Sequence, residues 1–406
     1  MLAVMGYGTV GSGILELFYK NKENIIKKAG KDTDIKYILD IREFPGSPYE
    51  DKFIKDISVI LEDPEITAVA ECMGGLQPAY SFVKACLEKG KSVCTSNKEL
   101  VAAKGAQLLK IAKENKCNFF FEASVGGAIP VIRPLHRCLA ANEITEITGI
   151  LNGTTNYILT KMFNENMTFG SALELAQNLG YAEKDPTDDI DGSDACRKIC
   201  ILASLAFGRH VYPDTVYVKG IRGIDREDIK LAAEANCHIK LIAQAKKLNG
   251  GQLEISVQPR LIGYDNPMSQ VSGVFNAVTV FGDAIDRVMF YGKGAGKLPT
   301  ASAVIADLIE AVKHDRTVFS QDWDDTDGSF TVPYSETFAE MYYRVHGNSA
   351  AETVRNIFGS VRFIKENSPE TAFITDQIRM SDAQLYKERL AERGIEVRAE
   401  YAVTGS

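Results

Sequence analysis

Residues 180–198 read GYAEKDPTDDIDGSDACRK and hold six acids and three bases. The acids are Glu183, Asp185, Asp188, Asp189, Asp191 and Asp194; the bases are Lys184, Arg197 and Lys198. The segment runs into KICILASLAFG, which is too apolar to lie on a surface. In a helix that begins near Ser193, Asp194 and Lys198 are four apart and share a face. A carboxylate beside an amine can move a proton and hold a zwitterionic substrate. A surface ion pair with Ser193 as helix cap would use the same residues, so the rest of the chain has to decide.

Gly6-Tyr7-Gly8-Thr9-Val10-Gly11 follows an apolar strand and opens a helical pattern. In that setting G-x-G-x-x-G lets backbone approach a pyrophosphate, which meets helix N–H groups. Asp40, at the end of the second strand, would bind a ribose 2′-hydroxyl and repel a 2′-phosphate. Arg42 would do the reverse. NAD and NADP both stay open, with a lean to NAD. Thr95-Ser96-Asn97-Lys98 ends a strand on the same sheet edge, where ligands of open parallel sheets lie. Lys98 is thus placed to reach cofactor or substrate, and Gly74-Gly75 to let backbone pass the nicotinamide side. Glu122 leads into Val125-Gly126-Gly127-Ala128-Ile129-Pro130. A carboxylate plus carbonyls exposed by consecutive glycines would suit a hard cation; the same run also reads as an interdomain hinge. Five histidines (His136, His210, His238, His314 and His346) fall in no nucleophile or metal motif. His136 and His238 lie on helical patterns and read as structural.

Helix and strand patterns alternate from residue 1 to about 130, with one helix expected over 14–28 and a strand at CNFFFEAS; after Pro130 a helix is expected at VIRPLHRCLA. This order predicts an α/β fold: a Rossmann-type, doubly wound parallel sheet. An α+β catalytic and dimerisation domain is expected over 131–292. It includes a long amphipathic helix over 226–248 and strands at LEISVQPRLIG and VFNAVTVFGD. GKGAGKLPTASAV enters an apolar helix expected to return, over about 293–317, to the first domain. Residues 318–337 read as a linker. Residues 338–406 carry a βαββαβ order that fits a ferredoxin-like module.

The chain has 406 residues and a net charge of −8, with no basic stripe. Phosphate backbones need clustered Lys and Arg, so nucleic acid is not expected as a partner. No apolar run reaches the ~18–20 residues that span a bilayer. LAVMGYGTVG lacks the basic flank of a signal peptide. The scattered cysteines show no C-x-x-C spacing, which points to a reducing cytoplasm.

Six blocks in order, GYGTVGSG, TSNKEL, EASVGGAIPVI, GILNGTTNYIL, GYAEKDPTDDIDGSDACRK and GAGKLPTASAV, make the chain resemble the homoserine dehydrogenases over nearly its whole length. The terminal βαββαβ resembles the ACT regulatory module of many members. The resemblance implies NAD(P)-dependent interconversion of L-homoserine and L-aspartate 4-semialdehyde in threonine, methionine and isoleucine biosynthesis. It casts Lys198 as general acid/base, Asp194 and Glu183 as carboxylates that hold substrate, and Lys98 as shared between cofactor and substrate. Gly6, Gly8, Thr9, Val10 and Gly11 resemble the pyrophosphate loop, with Asp40, Gly74 and Gly296 as further cofactor contacts. Glu122 and the carbonyls of Val125, Gly127 and Ile129 resemble a structural sodium site. A homodimer and an effector such as threonine are implied as well. Two departures stand out. Leu39 occupies a position where many members carry arginine, and His346-Gly347-Asn348-Ser349 lacks the Pro-Gly of amino-acid-binding ACT modules. The alternatives are a related dehydrogenase for another amino-acid alcohol and a non-catalytic, NAD-binding amino-acid sensor. Retention of Lys98, Lys198 and Asp194 together argues against the sensor.

Overall fold

A computed structural model describes residues 1–319, 323–367 and 369–404. Residues 320–322 of the expected linker, and Ser368, Gly405 and Ser406 of the expected terminal module, lie outside the described residues. The chain forms two compact units: Met1–Ile144 with Cys200–Pro213 and Gly292–Gly328, and Thr145–Ile199 with Asp214–Tyr291 and Ser329–Ser406.

The first unit begins with β1 (Leu2–Met5), buried at every residue. A strand covered on both faces reads as continuous apolar sequence, which suits the centre of a parallel sheet. Then come α1 (Thr9–Lys20) and α2 (Lys22–Ala29). The single helix expected over 14–28 is therefore two, because Asn21, at φ −116° and ψ 20°, leaves the helical region. The alternation continues through β2 (Ile35–Leu39), β3 (Phe53–Ile54), α3 (Ser58–Glu62), β4 (Ala68–Glu71), α4 (Ala79–Glu88), β5 (Ser92–Thr95), α5 (Lys98–Glu114) and β6 (Phe119–Phe120). The strand expected at CNFFFEAS is only these last two residues, and the helix expected at VIRPLHRCLA is a single π-helical turn, Pro134–Cys138. Strand order is β3-β2-β1-β4-β5-β6, all parallel. The order reverses between β1 and β4, which opens a crevice at the strands' carboxyl ends.

In the second unit β7 (Ile144–Ile150) runs into α6 (Gly153–Glu165), followed by α7 (Phe169–Asn178), α8 (Thr187–Ile190) and the start of α9 (Ser193–Phe207), whose residues from Cys200 onward belong to the first unit. After β8 (Tyr217–Val218), α10 (Arg226–Glu234) opens with a reciprocal cap between Asp225 and Asp228. The long helix expected over 226–248 does not form. Asn236 turns left-handed at φ +58°, and β9 (Cys237–Lys247) follows. All eleven residues of β9 pair antiparallel with β10 (Leu253–Gly263). Backbone pairing along that whole length, with Ile239, Leu241, Ala243 and Ala245 buried, outweighs the modest helix propensity of the segment. His238 consequently sits in a strand and not on a helix.

Next come β11 (Phe275–Gly282), β12 (Asp286–Lys293) and α11 (Lys297–Lys313). α11 belongs to the first unit and packs on α1. A Cβ on Gly13 would lie 2.9 Å from the Lys297 carbonyl, so glycine is what lets the two helices meet. The second unit ends with β13 (Phe338–His346), α12 (Ala350–Phe358), β14 (Val361–Asn367), β15 (Glu370–Thr375), β16 (Ile378–Arg379), α13 (Met380–Glu392) and β17 (Glu396–Thr404). Its mixed sheet runs β12-β11-β7-β9-β10-β17-β13-β15-β14. A parallel pairing, Arg260 opposite Ala402, joins β10 to β17. The terminal elements thus share one sheet with the middle of the chain. Arg344 strengthens the join through Asp228 at 2.8 Å, Asp225 at 2.6 Å and Glu370 at 3.0 Å.

Candidate active site

Two sites emerge, one in each unit. In the first, Gly6 ends β1 at φ +93°, and its missing Cβ would stand 2.9 Å from the Cys72 carbonyl. A Cβ on Gly11 would lie only 1.9 Å from the Gly6 carbonyl, whereas one on Gly8 would meet nothing within 4 Å. The first and third glycines are thus required by packing. The middle one leaves open space above the start of α1, where Thr9 and Val10 present N–H groups. Gly11→Ala is expected to displace the loop and weaken dinucleotide binding at least ~10-fold, in line with a local clash of more than ~1 kcal/mol. Titration of the cofactor by fluorescence would show it; unchanged affinity would mean that the loop does not hold the pyrophosphate.

A cavity of about 460 Å³ lies beside this loop, lined by Gly6, Gly8, Asp40, Arg42, Lys55 and Cys72, among others. Asp40 is buried there and all its acceptor positions are used. Oδ1 accepts from the Arg42 N–H at 2.9 Å and from Nε at 3.0 Å; Oδ2 accepts from the Tyr7 N–H at 2.7 Å and from the Arg42 guanidinium at 2.8 Å. The guanidinium, first, holds the Asp40 carboxyl well below the usual carboxylate range. Lys55 donates to the Ile41 carbonyl at 3.0 Å and pairs with Glu43 at 3.3 Å.

Sequence reasoning missed Glu71. It is fully buried at the end of β4 and accepts from Thr95 Oγ1 at 2.5 Å and from the Met73 N–H at 2.8 Å. Burial pushes its carboxyl up. It ties the Gly74-Gly75 turn to the end of β5, and Asn97 adds a bond to the Gly75 carbonyl at 2.6 Å. Asn97 also caps α5, which places Lys98 as the first helical residue. Gly296 caps α11 at φ +137°.

Glu122 is buried and accepts from the N–H groups of Val131 at 2.7 Å, Ile132 at 2.8 Å and Arg133 at 2.8 Å. Arg133 also pairs with Asp307, whose carboxyl burial pushes up to about 7. Gly126 and Gly127 are left-handed, at φ +74° and +56°. A Cβ on Gly127 would stand 2.4 Å from the Gly294 carbonyl. Among the described residues no group of three or more His, Cys, Asp or Glu could hold a metal. Any cation here would rest mainly on carbonyls.

In the second unit α9 begins at Ser193, and Asp194 and Lys198 do share its face. Lys198 Nζ donates to Asp194 Oδ2 at 2.7 Å and to the Leu151 carbonyl at 2.8 Å. Asp194 is 2% exposed and Lys198 8%. Asn152, which the sequence analysis does not single out, has two roles. Its Oδ1 caps α6 by accepting from the Thr155 N–H at 2.9 Å. Its Nδ2 donates to Asp194 Oδ2 at 2.9 Å and to Asp189 Oδ1 at 2.7 Å. Burial raises the Asp189 carboxyl. The clue was present in LNGTTN: an amide placed where a strand turns into a helix can cap with one end and donate with the other. Glu183 lies on the loop after α7 with its side chain exposed. The structure thus brings Lys198 and Asp194 together with Asn152 and Asp189, and leaves the Glu183 carboxylate in solvent.

Comparison with known proteins points to a single family. Residues 6–122 match the family model described as homoserine dehydrogenase, NAD binding domain, and residues 130–309 match the homoserine dehydrogenase model. The homoserine dehydrogenase of Bacillus subtilis is 38% identical over 357 residues, 85% of this chain and 81% of its own. That of Synechocystis is 42% identical over 318 residues, covering 77% and 73%. The crystal structure of a homoserine dehydrogenase from Thiobacillus denitrificans superposes with a TM-score of 0.90 at 31% identity, covering 99% of this chain and 97% of that one. A hyperthermophilic archaeal homoserine dehydrogenase in complex with NADPH superposes at 0.65 with 30% identity, covering 76% and 96%. The chain belongs to the homoserine dehydrogenase family of NAD(P)-dependent oxidoreductases.

Proposed function

We propose that Lys198 is the general acid/base of this enzyme and that Asp194, Glu183 and Lys98 bind L-homoserine. The buried contact between Lys198, Asp194 and the Leu151 carbonyl carries this reading. Oxidising the alcohol requires its proton to leave as the hydride departs. A nicotinamide dinucleotide held at the loop of Gly6, Gly8 and Gly11 would supply the hydride acceptor for oxidation and the hydride donor for reduction. The neutral amine of Lys198 accepts the hydroxyl proton during oxidation, and its ammonium form returns a proton to the aldehyde oxygen during reduction. The Leu151 carbonyl fixes Nζ. Asn152 fixes Asp194, so the carboxylate cannot swing away from the amine. Glu183, exposed on the loop after α7, is the proposed partner of the substrate amino group. The test is a substrate profile: L-homoserine against the same alcohol without the amino group, each with NAD and NADP, followed by nicotinamide absorbance. Equal turnover of both alcohols would remove the role given to Glu183 and Asp194.

The cofactor contacts proposed are Gly6, Gly8, Thr9, Val10, Gly11, Asp40, Gly74, Lys98 and Gly296. The lean to NAD weakens in the structure. Asp40 can accept from a ribose hydroxyl only by releasing Arg42, whereas Arg42 and Lys55 offer cations to a 2′-phosphate. NADP is therefore the proposed preference, with at least ~10-fold higher kcat/KM than NAD, the scale of one ion pair. Arg42→Ala should erase the difference.

Sodium is proposed at Glu122 and the carbonyls of Val125, Gly127 and Ile129. The support is electrostatic. Two buried carboxyls, Glu122 and Asp307, face one guanidinium, Arg133, and burial raises the Asp307 carboxyl to about 7; a monovalent cation would let both ionise. Its role would be structural. Replacing sodium by choline at constant ionic strength should lower the melting temperature, and no change would dismiss the site. The terminal elements form a βαββαβ with sheet order β17-β13-β15-β14, which supports an ACT-like module. We propose that it carries an effector site and dimer contacts. Gel filtration that returns only monomer, and rates unmoved by threonine, would argue against both.

A further inference from the structure

The second unit holds a cavity of about 360 Å³ that none of the roles above employs. Its walls include Lys219, Lys387, Arg398, Glu400 and Tyr401. Glu400 is the one carboxylate facing two ammonium groups: Lys387 at 3.0 Å and Lys219 at 3.6 Å. Lys219 also donates to the Glu400 carbonyl at 2.9 Å and stands over the Tyr401 ring at 5.5 Å. Arg398 is paired with Glu396 at 2.7 Å and is about half exposed at the rim. Among the described residues that line the cavity, two lysines thus face one carboxylate, with Asp228 a weaker counter-charge to Lys219. Burial pulls the Lys219 ammonium below its ordinary pKa, as expected of a cation short of partners.

The same loop reaches the acid–base cluster. Lys219 precedes Gly220, where a Cβ would lie 2.2 Å from the Ile190 carbonyl and 2.5 Å from the Asp191 Cα. The Ile221 N–H donates to the Ile190 carbonyl at 2.8 Å, and the Arg222 guanidinium holds the Asp191 carboxylate. Ile190 and Asp191 form the end of α8, the helix that carries Asp189. Asp189 accepts from Asn152, which donates to Asp194, the partner of Lys198. The path from Lys219 to Lys198 runs through backbone contacts and hydrogen bonds.

We propose that this cavity binds a small oxyanion of the carboxylate or phosphate class between Lys219, Lys387 and Arg398, and that its occupancy is transmitted through the 219–224 loop and α8 to Lys198. An anion satisfies the cations that Glu400 shares, draws Lys219 away from the Glu400 carbonyl and shifts the loop against α8.

The test is calorimetric titration of the full chain with inorganic phosphate and, separately, with citrate. The dinucleotide site is kept saturated with NADP so that its pyrophosphate loop cannot contribute. One saturable event per chain is expected, with Kd near or below ~1 mM, an ordinary value for a few charge-assisted contacts. Arg398→Glu, at the rim, and Lys219→Met should each weaken it at least ~10-fold, and Glu400→Gln, which removes the competing carboxylate, should tighten it about 5-fold. Tighter phosphate than citrate assigns the phosphoryl class, and the reverse assigns the carboxylate class. No saturable heat with either anion, or binding untouched by all three substitutions, overturns the site. Saturating anion should also change kcat at least ~2-fold in the wild type and not in Arg398→Glu. Binding without that change overturns the transmission. Calorimetry needs no turnover, so its failure is separable from any failure of the roles given to Lys198 and Asp194.

Discussion

Lys198→Ala is expected to lower kcat/KM for homoserine oxidation at least ~100-fold, about 2.7 kcal/mol of transition-state stabilisation. The amine is the group placed to take the hydroxyl proton, and without it the proton must go to water. The loss should fall on kcat more than on KM, because proton transfer belongs to the transition state. NADP affinity should stay within a factor of about 2, since the cofactor contacts assigned above lie elsewhere in the chain. Removing the amine also leaves Asp194 buried beside Asn152 without its cation, so some stability will be lost. Lys198→Arg separates the two effects: a guanidinium restores the charge but hardly releases a proton in this pH range. Near-normal turnover in Lys198→Arg would sink the assignment, because that variant keeps the ion pair and loses the base.

Arg344→Ala should be the most destabilising single change outside the active site, by about 3–5 kcal/mol. The guanidinium joins Asp225, Asp228 and Glu370, and Asp228 is fully buried. Tyr401 adds a bond to the same carboxylate at 3.1 Å. Without the arginine, Asp228 is a buried charge with one phenol and the cap N–H for company, and it must take up a proton or draw in water. The urea midpoint should fall clearly. Asp228→Asn in the same background should recover part of the loss, since the neutral amide no longer needs a counter-charge. A midpoint unchanged in Arg344→Ala would mean that the three carboxylates are already satisfied by solvent.

Residue order was enough to place the glycine turn and the shared face of Asp194 and Lys198. G-x-G-x-x-G fixed its own place at a strand-to-helix turn, because only glycine tolerates the 1.9 Å approach found at Gly11. The spacing of Asp194 and Lys198 gave a shared helical face, because α9 is continuous through both and its period is a local property. Alternating apolar runs gave the parallel sheet. The sequence misled where long-range pairing competes with local pattern. Residues 237–247 carry helix-forming Lys, Leu, Ala and Gln, yet they form β9, because β10 offers eleven paired positions and a core for the odd residues.

What the sequence determined by itself, then, is the chemistry available: which groups carry protons and charge, and which turns let backbone approach a ligand. Tertiary structure alone decided how those groups are engaged. Asn152 reaches Asp189 and Asp194 across 37 and 42 residues of chain, Glu71 reaches Thr95 across 24, and Asp40 reaches the Tyr7 N–H across 33. Such choices are made by burial. Once water is excluded, each polar atom must find a partner among whatever the fold brings near, and a pattern read along the chain does not contain those distances.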